Sequence, residues 1–262
     1  MPRAKTETRK IKSVKTGGVR WRVVTAFVVF GALFVGTAYA AVRVRRYVLF
    51  DAQFKLSRDD ADAVTLQGLR YTSRSKVQRV FTADYGRSVF GVPLAERRRR
   101  LLAIDWVEDA TVSRIWPDRL AVRIHERHPV AFVFFRSGVL LIDAYGILLD
   151  PPAQAQFTFP VLSGIREDET EARRARRVRA LLKVQEGLGP LAKDLSEVNA
   201  ADLDNIRMVT QVESRALEFI LGEANFGRRY QNFLNHYPEI KRRSPEVKSF
   251  DLRLEDRITA KD

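Results

Sequence analysis

Two of the chain's three histidines, His125 and His128, stand three residues apart with Glu126 between them, in the stretch V-S-R-I-W-P-D-R-L-A-V-R-I-H-E-R-H-P-V-A-F of residues 112–132. Imidazoles beside a carboxylate are the material of a zinc site or an acid–base couple. The zinc motif H-E-x-x-H works because i and i+4 share one face of a helix. Here the spacing is i, i+3, and the segment is not helical. Leu120, Val122 and Ile124 alternate with Ala121, Arg123 and His125, the period of two that marks a half-buried strand. An extended chain sends i and i+3 to opposite faces, and Pro129 follows at once, so the stretch reads as a junction between elements. The third histidine, His236, stands beside Tyr237 and Pro238 and reads as a surface or packing residue. The chain has no cysteine, which excludes disulfides, thiolate metal sites and cysteine nucleophiles together. It has no nucleophile elbow, Walker loop or dinucleotide fingerprint. No catalytic, cofactor-binding or metal-binding residue is therefore assigned.

The charge of +14 also dissolves on inspection. Residues 1–50 hold eleven Lys/Arg against Glu7 alone, while the remaining 212 residues hold 35 basic and 31 acidic side chains. A nearly balanced body lacks the clustered basic surface that nucleic-acid binding requires, so no nucleic-acid partner is expected. Val23 to Val42 runs twenty residues without a charge, about 30 Å of helix and the thickness of a bilayer's hydrocarbon core. Trp21 on one side and Tyr39 and Tyr47 towards the other suit the headgroup level. A cleaved signal peptide is the alternative, with Ala38-Tyr39-Ala40 as its A-x-A, but this run is longer than a signal core and 22 residues precede it. Eight basic residues in 1–22 against five in the next stretch place the N-terminus inside.

The expected organisation is a basic cytoplasmic tail (1–22), a transmembrane helix (23–42), a linker (43–60) and two modules, 61–128 and 129–262. In the first, a short strand at 63–66 precedes a helix carrying Val77, Val80, Phe81 and Tyr85, with Ser73 and Ser75 as candidate caps. A second helix follows from about Leu94 to Leu102. Its Arg97–Arg100 run fans around the helix and reads as a solvated surface with Leu94, Leu101 and Leu102 inward. A hairpin turning at Ile115-Trp116-Pro117-Asp118 completes the module. The second module reads as strands at 131–136, 139–143 and 147–149, a helix at about 167–186, strands at 208–212 and 217–221, and a helix at 228–234. A final long strand is expected at about 247–254, with a short last one near 257–260. The fold class is α+β.

Several stretches in combination resemble the bacterial cell-division family FtsQ, called DivIB in other lineages. They are V-T-L-Q-G-L, the block from D-W-V-E-D-A-T-V-S-R-I-W-P through E-R-H-P-V-A, L-L-I-D-A-Y-G-I-L-L, F-P-V-L-S-G, F-I-L-G and F-D-L-R-L. The small module looks like the POTRA domain of that family. The resemblance implies a non-enzymatic bitopic scaffold in the cytoplasmic (inner) membrane at the division septum, with its modules outside the cytoplasm. Such a scaffold binds FtsB-like and FtsL-like partners, links early to late divisome components, and meets other division proteins through the POTRA-like domain. It implies β-strand augmentation near the C-terminal strand, where the family's D-L-R-Y falls on Asp251-Leu252-Arg253-Leu254. Arg253 would pair with an acid of the partner, flanked by Asp251, Leu252, Leu254 and Glu255, with a second family arginine at Arg207. Leu254 departs from the aromatic of relatives, Phe250 is expected to serve the core, and no long tail is expected after Ala260. The alternative from a different class is a secreted or anchored envelope enzyme acting on peptidoglycan, with residues 23–40 as its signal peptide.

Overall fold

The computed structural model describes residues 21–153, 155–254 and 257–261. The expected tail up to residue 20, and Glu255, lie outside the described residues. Helix α1 (Trp21–Phe50) is 30 residues long and continues eight residues past Val42, into the segment expected as a linker. Packing at its last turns explains the extension. The Ser88 hydroxyl donates to the Val48 carbonyl at 2.7 Å, Leu49 lies against Gly91, and the Tyr47 ring meets Phe54 edge-on at 5.6 Å. The helix stops at Asp51, whose carboxylate accepts the Gln53 N–H at 3.0 Å and turns the chain aside.

The first module contains β1 (Val64–Gln67), α2 (Arg74–Arg79), α3 (Leu94–Leu102), β2 (Val107–Ile115) and β3 (Arg119–Glu126). Its sheet has the order β1-β3-β2, with β1 parallel and β2 antiparallel to β3. Val77, Phe81 and Leu101 pack from the helical side onto Val107, Leu120 and Val122. Arg97 departs from the solvated surface expected of the arginine run. It is buried, and its guanidinium forms two parallel bonds to the fully buried carboxylate of Asp84, at 2.5 and 2.8 Å. This bidentate geometry satisfies both charges where water cannot reach them. The hydrogen bonds to Asp84 hold the Arg97 proton more firmly than usual, against the opposing effect of burial.

The second module contains β4 (Pro129–Phe135), β5 (Gly138–Asp143), β6 (Leu148–Leu149), β7 (Val161–Ser163), α4 (Glu171–Leu188), β8 (Leu195–Asn199), β9 (Ile206–Val212), β10 (Arg215–Gly222), α5 (Phe226–Arg243), β11 (Ser249–Asp251) and β12 (Thr259–Lys261). These strands form one sheet in the order β12-β11-β10-β9-β8-β7-β4-β5-β6. β7 to β8 and β10 to β11 are parallel neighbours, joined through α4 and α5 respectively, because a parallel pair needs a crossover long enough to hold a helix. Val178, Leu181 and Val184 of α4, with Tyr230, Phe233 and Tyr237 of α5, cover Val198, Met208, Phe219 and Phe250 of the sheet. α5 runs well beyond the expected 228–234 and passes through Pro238. The aromatic stripe at 230, 233 and 237 continues across the proline, and burying it outweighs the loss of one backbone donor.

Asp143-Ala144-Tyr145-Gly146 makes the turn between β5 and β6. The Asp143 carboxylate accepts the N–H groups of Tyr145 and Ile147 at 2.9 and 2.8 Å. Gly146 has φ +85°, and a Cβ there would lie 2.6 Å from the Ala175 nitrogen of α4. The D-x-x-G motif is thus the place where the sheet and α4 meet backbone to backbone. Between the modules, Trp106 packs with Leu141, Leu149, Tyr71 and Phe157, and its indole N–H donates to the Asp150 carbonyl at 2.9 Å.

Candidate functional site

The H-E-R-H stretch resolves into a clamp. His125 and His128 are both exposed, and no group of three or more potential metal ligands occurs among the described residues. Glu126 is the member with a structural task. One carboxylate oxygen accepts the backbone N–H groups of Arg70, Tyr71 and Thr72 at 2.9, 3.0 and 2.7 Å, and the other accepts that of Tyr71 at 2.9 Å. Burial alone pushes the carboxyl up, but the donors on Thr72, Arg70 and Tyr71 together outweigh it and hold the group below its ordinary value. The end of β3 is thereby tied to the loop after β1, a link that no local motif announces. A cleft of about 820 Å³ opens alongside, bordered by His125, Arg70 and Phe157.

The residues expected to bind a partner gather at the other end of the chain. β11 is short because Asp251 ends it: its carboxylate accepts the Arg253 N–H at 3.1 Å, bending the backbone where the sequence pattern predicts a strand to 254. The register then alternates by face. Met208, Phe219, Phe250 and Ala260 form one row across β9 to β12, and Arg207, Ile220, Asp251 and Thr259 form the next. The first row faces the helices and the second the open side, since cross-strand partners share a face.

Arg253 folds back onto this open side. Its guanidinium donates to both oxygens of Asp251, at 3.0 and 2.7 Å, and to the Asn205 side-chain carbonyl at 2.9 Å. The pairing keeps Asp251 ionised to lower pH than a free aspartate, with the arginine as the leading cause. A guanidinium has five N–H groups, so Arg253, about half exposed, keeps donors beyond those given to Asp251 and Asn205. Leu254 is 58% exposed. Leu252, by contrast, is 1% exposed, and its N–H goes to the Ile220 carbonyl at 2.9 Å; its side chain belongs to the core. Arg207 sits on β9, three strands in from β12, and pairs with Glu218 at 3.4 Å.

β12 closes the sheet. Thr259, Ala260 and Lys261 are all exposed and pair on one side only, with β11. No described strand lies beyond β12. Its outer N–H and C=O groups are therefore an open template for another strand. Asp251, Arg253, Leu254, Arg257 and Thr259 line a depression of about 330 Å³ next to it. The short last strand expected near 257–260 is present as β12, and this segment, rather than the D-L-R-L stretch itself, forms the edge of the sheet. Three residues are too few for periodicity to say which neighbour they pair with, so their place at the edge comes from the structure alone.

An apolar helix that is long enough to cross a membrane, followed by a small β-α-α-β-β module and a β-rich domain, defines a membrane-anchored protein of the POTRA type. Comparison with known proteins makes this specific. Residues 61–127 match the POTRA domain, FtsQ-type. The chain is 35% identical to a cell division protein FtsQ of Koribacter versatilis over 90% of this chain and 69% of that protein. It is 30% identical to an FtsQ of Actinobacillus pleuropneumoniae, over 71% and 78% respectively, and 27% identical to an FtsQ of Geotalea daltonii over 99% and 96%. The chain belongs to the FtsQ family of bacterial cell division proteins.

Proposed function

We propose that the protein is a non-enzymatic bitopic scaffold of the division machinery that captures FtsB-like and FtsL-like partners by strand addition at β12. Its basic tail (1–22) lies in the cytoplasm, and the POTRA-like (61–128) and β (129–262) domains lie outside the inner membrane, at the septum, where they link early to late divisome components. The observation that supports this reading is the free, fully exposed edge at Thr259–Lys261, next to an arginine with donors to spare and an exposed leucine. Main-chain bonds along the edge supply affinity, and alternate side chains select the partner. Arg253, with Asp251 already at its inner side, offers a charge-assisted contact to an acidic residue of the added strand, while Leu254 offers an apolar seat.

Arg207 takes a different place in this reading. Three strand spacings, about 14 Å, separate β9 from β12, so an added strand does not reach it. It meets a second element of the partner that lies over the open face of the sheet. The test is co-purification of the full chain with an FtsB-like extracytoplasmic segment, comparing wild type with a deletion of Thr259–Lys261 and with Arg253→Glu. Both variants are expected to lose the partner while keeping their circular dichroism. Undiminished binding by the folded deletion variant would sink the edge-strand reading.

A further inference from the structure

We propose that the first module is itself seated on the lipid surface through the tip of its β2–β3 hairpin. Among the described residues 51–128, the strongly exposed large apolar side chains are Phe90, Ile115 and Trp116, with Trp116 at 73%. They occupy one place. Arg114 holds the hairpin tip against the neighbouring loop, donating to the carbonyls of Val89, Phe90 and Val92 at 2.7, 3.3 and 2.9 Å. Phe54, itself buried, is the shared floor. Its ring centroid lies 5.5 Å from Phe90, 6.3 Å from Trp116 and 5.6 Å from Tyr47 of α1. The patch is therefore continuous with the end of the membrane helix, where Tyr47 and Phe50 are also exposed.

Depth agrees with this placement. The 30 residues of α1 rise about 45 Å, the thickness of a bilayer with its headgroup layers. With Trp21 at one headgroup layer, Phe50 falls in the other, and the patch docked on Tyr47 is at the same level. Indole rings favour that level because the ring is apolar and its N–H remains hydrated. Arg43, Arg45 and Arg46 are exposed on the turns just below and place their charge among lipid phosphates while their stems lie along the apolar segment. An exposed tryptophan and isoleucine at a hairpin tip are a liability in water; at a bilayer surface they are an anchor. This inference rests on α1 crossing the membrane.

The absence of cysteine makes the test clean. Full-length Trp116→Cys, Tyr145→Cys and Val35→Cys are spin-labelled separately in nanodiscs of phosphatidylethanolamine and phosphatidylglycerol. Relaxation by oxygen and by a water-soluble nickel chelate is then compared. The label at 116 is expected to lose nickel accessibility and gain oxygen accessibility relative to the exposed position 145, approaching but not reaching the value at 35. An aqueous 116 with a lipid-embedded 35 would overturn the docking while leaving the membrane span intact; an aqueous 35 would overturn the span itself. The native side chain is read in 5-fluorotryptophan-labelled protein, which carries three tryptophans. The resonance lost in Trp116→Phe is expected to broaden with headgroup-nitroxide lipid, and an unbroadened resonance overturns the docking independently.

Discussion

Replacing Glu126 by glutamine should loosen the first module at a place remote in sequence from the change. The wild-type carboxylate accepts three successive backbone N–H groups, at 2.7 to 3.0 Å. A hydrogen bond to a charged acceptor contributes about 1.5–3 kcal/mol, and such contributions are not additive. The amide of Glu126→Gln would keep one acceptor oxygen but lose the charge and turn N–H groups of its own towards the donors, so a net loss of about 2 kcal/mol is expected. That corresponds to about 30-fold faster opening of the loop at 70–72. Native-state hydrogen exchange of the Arg70, Tyr71 and Thr72 amides reads this directly, with the Val122 amide in the core of β3 as an internal reference. The pH dependence has a fixed sign. The folded-state carboxyl titrates below its unfolded value of about 4.3, so the contribution is complete above that value and disappears as pH falls through the lower folded one. Unchanged protection at 70–72 in the glutamine variant, with normal intrinsic rates, would refute the clamp.

Removing Asp84 should be costly. Asp84→Ala leaves the buried Arg97 guanidinium with only the partly exposed Glu96 carboxylate, at 3.2 Å, and is expected to lose about 3 kcal/mol in denaturant unfolding, whereas Asp84→Leu with Arg97→Met should recover most of the loss. Gly146→Ala combines a left-handed backbone with a Cβ 2.6 Å from the Ala175 nitrogen, and a loss of more than about 1 kcal/mol in stability is expected on the backbone term alone. Arg253→Ala releases Asp251, whose carboxyl should rise towards about 3.9, followed by carbon-detected NMR titration. In wild type the Asp251–Arg253 pair stabilises above that pH and fades as pH falls through the depressed value.

The hairpin and the two modules were legible because their signals are local. Period-two alternation in β3 and the leucines of α3 gave those elements to within a residue. What stayed hidden depends on partners far along the chain. Arg97 sits among four consecutive arginines, and nothing nearby says that this one meets Asp84, thirteen residues earlier. Glu126 looked like part of a histidine pair, yet its donors lie more than fifty residues upstream. α5 runs past the expected 228–234 and through Pro238, against the propensity of proline in a helix, because the buried aromatic stripe that carries it across is a tertiary effect. At the candidate edge, the resemblance points to Arg253, but the difference between a buried Leu252 and an exposed Leu254 appears only once Asp251 bends the strand.

The uninterrupted passage of α1 into the first module has a consequence for geometry. With no slack between span and domain, the azimuth of α1 within the bilayer and the compass direction in which β12 is offered are one variable. A single residue inserted between Arg43 and Tyr47 would swing that direction by about 100° and raise it about 1.5 Å. Seven inserted residues would restore the heading to within about 20° at a height about 10 Å greater. Height and heading can thus be varied separately, and the edge strand becomes a pointer whose bearing is set inside the membrane.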